Sequence, residues 1–204
     1  MRLLGFWRAA KSREERYHTW MQGRAMFRWP VVVLALLAVS GVEAHAATAP
    51  EQPMTLTSTA FTNGGIIPTE FTCSGVDVSP PLTWSDVPAG TASLALTVID
   101  PDAPVKPFTH WVIFDIPVAA TGLPRAVPLG KELPDRSRQG RNDFHQDGYS
   151  GPCPPPGPAH HYHFMVFALD TVLSLPGGVA EPAFADSIEG HVLASGELIG
   201  LFGR

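Results

Sequence analysis

The chain has 204 residues and a formal net charge of −5, with 14 Lys+Arg against 19 Asp+Glu. Seven of the basic but only three of the acidic residues fall in 1–46, so 47–204 carry seven basic against 16 acidic side chains, a formal −9. A surface of that sign repels phosphate backbones and excludes nonspecific nucleic-acid binding, and the length fits a single domain with a real core.

The chain opens with a mixed-charge stretch containing Glu14 and Glu15, then Arg24 and Arg28, an apolar run over 31–39, and Ala44-His45-Ala46. The run is short for a bilayer span, and the small-x-small triplet predicts a signal peptide cleaved after Ala46, leaving no stable membrane span. Residues 1–22 are unusually long as a preface, and Met21 or Met26 would start an ordinary leader. No twin-arginine signal is present, and no cysteine stands at the cleavage site for lipid attachment. The predicted organisation is a leader over 1–46, a flexible tail over 47–53 and one domain over 54–204. Export leads to an oxidising compartment, periplasmic or extracellular, so Cys73 and Cys153 read as a disulfide.

Within the domain, 54–58 reads as a first strand, Asn63-Gly64-Gly65 as a turn and 66–72 as a second short strand. Ser79-Pro80-Pro81 forces an extended bend before a short strand over 82–84. Ser93 to Asp100 is apolar on both faces, as a central strand should be. In 110–116, His110, Val112, Phe114 and Ile116 alternate with Trp111, Ile113 and Asp115; in 160–170, His160, Tyr162, Phe164 and Val166 share one face. The region 117–158 is long and irregular. Phe184, Ile188 and Val192, with Pro182 in the first turn, predict one amphipathic helix, and 195–202 a closing strand. Several strands, 21 prolines and one late helix predict an all-β sandwich with helical decoration.

Two motifs carry chemistry. Asp100-Pro101-Asp102-Ala103-Pro104 ends the central strand with two carboxylates, and His110 follows shortly after. A carboxylate there is costly to bury unpaired, so Asp100 is expected to face an imidazole, fixing its tautomer and favouring its charged form. Asp102, between Pro101 and Pro104, reads as a turn former. The second motif is a proline loop, Gly151-Pro152-Cys153-Pro154-Pro155-Pro156, that empties into His160 and Tyr162. Two imidazoles, a phenol and loop amides make a donor set able to hold phosphate, carboxylate or sulfate without a lysine. The plainer alternative makes each histidine a satisfied core residue. His161 and His163 share a strand face, but no third residue completes a metal site at diagnostic spacing. There is no nucleophile elbow and no Gly-rich phosphate loop, so no catalytic residue, metal or cofactor is assigned.

Ser79-Pro80-Pro81-Leu82-x-Trp84, Asp100-Pro101-Asp102-Ala103-Pro104, His110-Trp111, Gly140-Arg141-Asn142-Asp143-Phe144 and Gly151-Pro152-Cys153-Pro154-Pro155 running into His160-His161-Tyr162 occur here in order. Taken together they resemble the phosphatidylethanolamine-binding protein family, in its bacterial Raf-kinase-inhibitor-like branch. The resemblance implies a sandwich of antiparallel β-sheets, one or two peripheral helices near the C-terminus, and a small anion pocket at one end. By position it makes Asp100, His110, His160 and Tyr162 pocket residues and Phe108, Gly151 and Pro152 its walls. Position 161, often Arg in the family, is His, and His145 stands where the bacterial pattern leads us to expect glycine. The expected function is an exported, non-enzymatic binding protein for a small anionic or phosphate-bearing ligand. An inhibitor of an exported hydrolase or host protein, contacting its partner through 125–148, is the alternative, and a weak hydrolase a second. A homodimer is compatible with the sequence.

Overall fold

The computed structural model describes residues 52–204, so the leader and its cleavage site lie outside the described residues. Ten strands form two sheets. The larger contains β1 (Gln52–Pro53), β3 (Gly65–Ile66), β5 (Ser93–Asp100), β6 (Phe108–Ile116), β8 (Arg138–Gln139), β9 (His160–Leu169) and β10 (Val192–Phe202). Its order is β1-β10-β9-β5-β6-β8, with β3 also on β10. The smaller sheet is β2 (Thr55–Thr57), β4 (Leu82–Ser85) and β7 (Gly122–Leu123), in the order β2-β4-β7. The long pairings are antiparallel, whereas β1 and β3 add to β10 in parallel. The tail predicted over 47–53 therefore includes two residues held in the sheet.

The all-β class follows from how the faces are covered. One face of the large sheet presents Leu96, Val98, Trp111 and Phe164 to Leu56, Leu82 and Trp84 of the small sheet. The other packs Ala95, Val112, Phe114 and Phe167 under Phe184 and Ile188 of the helix α1 (Glu181–Ile188). Every residue of β5 is buried, as a strand covered on both faces requires. Three layers result, two sheets and one short helix.

Three local expectations fail for identifiable reasons. The second strand, expected over 66–72, ends at Ile66; a 3-10 turn, Thr69–Phe71, follows Pro68, which has no N–H to extend a ladder. Val192, expected on the helix, begins β10, because the helix stops at Ile188 and Gly190 turns at φ 81°. The simple alternation along β6 is broken twice. Against β5 the register slips between Leu94 and Leu96 and again between Val98 and Ile99, each time with one extra residue on β6. The first bulge falls at Asp115, with φ 55°, and the second at His110. Ile116 consequently joins Trp111 and Ile113 in the inter-sheet core, and His110 turns toward Tyr162 on β9 rather than toward Val112.

Candidate functional site

The site begins where β5, β6 and β9 end together. Asp100 closes β5 and is 3% exposed. Its Oδ2 accepts from His160 Nδ1 at 2.8 Å, and its Oδ1 accepts from the Asp102 amide at 2.9 Å. The turn is therefore closed by the Asp100 side chain. Asp102, expected to make that turn itself, reaches across to β9 instead, where its Oδ2 accepts from the His161 amide at 2.8 Å and from His161 Nδ1 at 2.7 Å. Burial pushes the Asp102 carboxyl up, but the His161 backbone and ring outweigh it and hold it below the usual carboxylate range. Pro101 and Pro104 lie in this turn, fixing the backbone between β5 and β6.

His110 is 2% exposed at the β6 bulge. Its Nδ1 lies 2.8 Å from the Ser150 carbonyl. A carbonyl only accepts, so Nδ1 carries the proton. Its own carbonyl accepts from the Ser150 amide at 3.1 Å and from Asn142 Nδ2 at 3.2 Å. Burial pushes the His110 imidazole pKa down, and the Ser150 and Gly151 carbonyls and the Asp100 and Asp77 carboxylates offset only part of this. Around the ring stand Phe108 at 5.3 Å, Phe144 at 5.5 Å and Tyr162 at 5.2 Å between centroids.

Tyr162 is fully buried, and its hydroxyl lies near the Asp100 carboxylate without making a hydrogen bond of good geometry to it or to any other group. Burial, then the Asp100 carboxylate, push its pKa well up, so the phenol keeps its proton and remains a donor. Its ring lies 6.5 Å from that of His160, nearly parallel at 22°.

The walls come from the proline loop. Gly151 donates its N–H to Asp77 Oδ1 at 2.7 Å. A Cβ at Gly151 would meet the Phe71 carbonyl oxygen, so glycine is required by close backbone approach. The Pro152 carbonyl accepts from the Cys73 amide at 3.1 Å, and Cys73 and Cys153 form the expected disulfide. Beside them lies a hollow of about 230 Å³ lined by Cys73, Asp77, Phe144, Gln146, Ser150 and Gly151.

The structure thus brings Asp100, His110, His160, Tyr162, Phe108, Gly151 and Pro152 into one neighbourhood. It also adds residues that pattern reading left out. Asn142 Nδ2 bonds to the Gly148 carbonyl and to Ser150 Oγ, both at 2.9 Å, besides His110, and so fixes the loop beneath the ring. Asp143 Oδ2 accepts from the Thr109 amide at 2.8 Å, and Lys106 pairs with its Oδ1 at 2.8 Å. Phe144 and Asp77 line the hollow. Asn142, Asp143 and Phe144 lay inside a quoted motif; their signal was polar side chains clustered in a loop, with nothing to say which strand they serve. No group of three or more metal-ligating side chains occurs among the described residues.

A β-sandwich with a buried carboxylate–imidazole pair, a second imidazole and a tyrosine at one end defines a class of small binding folds. The phosphatidylethanolamine-binding protein model matches residues 57–203, and the chain belongs to that family. It is 51% identical over 151 residues to a UPF0098 protein of Methanothermobacter thermautotrophicus, covering 74% of this chain and 99% of that one. It is 38% identical to LppC of Mycobacterium tuberculosis, named as a candidate lipoprotein, over 74% of this chain and 73% of that one. Among solved structures it is similar to Escherichia coli YbcL, described as a member of the mammalian PEBP family, with TM-score 0.69 and 35% identity over 74% of this chain and 98% of that one. The PEBP homologue CT736 of Chlamydia trachomatis has TM-score 0.68 and 36% identity over 76% of this chain and 99% of that one.

Proposed function

We propose that this protein is a non-enzymatic binding protein that holds a small anionic or phosphate-bearing group among Tyr162, His160 and His110, with the proline loop as a wall. The observation that carries this reading is the Tyr162 hydroxyl, buried with no partner inside the protein. An unmet buried donor costs about 1–3 kcal/mol, a cost a guest oxygen removes. Asp100 supports the same role: with both oxygens engaged, it positions His160 and is not left to attack a substrate. Titration calorimetry with inorganic phosphate and phosphoethanolamine tests this. We expect saturable binding that His160→Ala weakens by about tenfold or more, a loss of about 1.4 kcal/mol. Equal affinity in both proteins sinks the reading, and turnover of phosphate esters or peptides sinks its non-enzymatic part.

The partner-inhibitor reading draws on Leu129 and Phe144, 59% and 41% exposed in the irregular segment between β7 and β9. That segment is tied to the body through Arg125, paired with Glu70 at 2.9 Å, and through Gln139, whose Oε1 accepts from Trp111 Nε1 at 2.8 Å. An exported location is supported by the disulfide and by the printed name of LppC; fractionation of the native host checks it.

A further inference from the structure

Resting on the reading that the cluster holds an oxyanion, we propose that His110 acts as a hydrogen-bond acceptor and makes the site select a guest that carries its own proton. The guest favoured is the acid monoanion of a phosphate, over an aprotic oxyanion such as sulfate.

His110 Nδ1 faces the Ser150 carbonyl at 2.8 Å, and a carbonyl has no proton to give, so Nδ1 is the protonated nitrogen. In a neutral ring the remaining nitrogen, Nε2, is then a bare lone pair. Three aromatic rings enclose the imidazole, from Phe108, Phe144 and Tyr162. At 2% exposure little water reaches it to support an imidazolium. Burial holds the ring in its neutral form, against the pull of two carboxylates.

Every titratable group facing the ring has been placed. Asp100, from the end of β5, is occupied by His160 and the Asp102 amide. Asp77 is held by the Gly151 amide. Tyr162, from β9, keeps its phenolic proton. Asp143, near the ring through Thr109 and Phe144, is matched by Lys106. No lysine or arginine points its charge at His110 among these contacts. Beside the His110 lone pair the site therefore offers the Tyr162 hydroxyl as a neutral donor, with His160 stacked on the tyrosine ring and the Arg204 charge acting on its phenol.

A sulfate, or the dianion of a phosphate monoester, placed there sets oxygen lone pairs against Nε2 and leaves the acceptor unmet. A P–OH hydrogen satisfies it. Sites built around a buried acceptor reject analogues that lack the matching hydrogen far more strongly than apolar pockets reject a missing methylene. His160 differs, since its Nδ1 donates to the Asp100 carboxylate and its ring stacks on Tyr162. Its role is to position the guest, while that of His110 is to discriminate.

Calorimetry on the purified protein with methyl phosphate and sodium sulfate tests the proposal at about pH 5 and about pH 8, on either side of the second ionisation of a phosphate monoester, at about 6, where its only hydrogen is lost. At the lower pH we expect methyl phosphate to bind at least about tenfold more tightly than sulfate. At the higher pH methyl phosphate should lose about tenfold or more as its hydrogen leaves. His110→Asn, whose amide can still donate to Ser150, should erase the preference while leaving weak binding of both ions. Sulfate binding as tightly as methyl phosphate, or methyl phosphate affinity that does not change with pH, overturns the proposal but leaves the binding function standing. Failure of both ions to bind at millimolar concentration overturns both. The wild-type comparison decides even where the variant fails to fold.

Discussion

Tyr162 separates stability from binding within a single side chain. Its ring is part of the inter-sheet core, while its hydroxyl is stranded there without a partner. In the free protein that hydroxyl is a burden; in the complex it is the neutral donor at the site. Tyr162→Phe keeps the ring and removes the burden. We expect its thermal midpoint to equal or exceed that of the wild type, by up to about 1 kcal/mol of added stability. Phosphate affinity should fall about tenfold over the same change. Differential scanning calorimetry and titration on one preparation read both. A variant destabilised by about 2 kcal/mol or more would show that the hydroxyl is bonded in the free protein, and the site argument would lose its foundation. His145 shows a second single-residue effect. Its φ of 66° is the left-handed conformation that glycine adopts without strain, which explains why the motif pattern leads one to expect glycine there.

At the scale of elements, the disulfide and the β6 bulges decide the shape of the site. Cys73 and Cys153 are 80 residues apart, and their bond joins the turn carrying Asp77 to the proline loop carrying Gly151 and Pro152. Closing so long a loop contributes on the order of 4 kcal/mol in the chain-entropy model. A Cys73→Ser, Cys153→Ser protein should unfold at a lower denaturant midpoint and bind phosphate more weakly, because the loop that walls the site is freed. An unchanged affinity would show that the site holds its walls without the bond. These features also mark where sequence stops informing structure. The doubly apolar run Ser93–Asp100 could only be a central strand, and it is one from end to end. The pairing of Asp100 with a histidine was readable from the cost of burying a carboxylate. The facing of His110 was not, because a bulge is a property of two strands in register and leaves no period in one of them. Val192 was misplaced for a related reason: a helical spacing continued by chance past the glycine that ends the helix. The donor count was misjudged as well, since the sequence shows two imidazoles but not that each already gives its Nδ1 hydrogen to the protein.

For the molecule as a whole, the consequences of this burial appear in how folding depends on pH. His110 titrates lower in the folded protein than in the unfolded chain. On acidification the unfolded state binds the proton first, so the stability this ring contributes is present above the ordinary imidazole range, about pH 6.5, and is lost as pH falls below it. Asp102 and Asp143 are also held low. For Asp102 the His161 backbone and ring outweigh burial, and for Asp143 Lys106 and the Thr109 amide do so. Their contributions are present above the usual carboxylate range, about pH 4, and disappear below it. Acid unfolding should therefore proceed in two stages, one through the imidazole range and one through the carboxylate range. The difference in stability between wild type and His110→Asn, followed by urea unfolding from about pH 8 to pH 4, isolates the first stage. That difference should shrink steadily below about pH 6.5, because only the wild type has a ring to protonate there. Because burial in the folded sandwich favours the neutral His110 ring, the same burial that lowers acid stability favours the lone pair a protonated guest requires. A difference that stays constant with pH would mean the ring titrates normally, and would remove the physical basis for discrimination at the site.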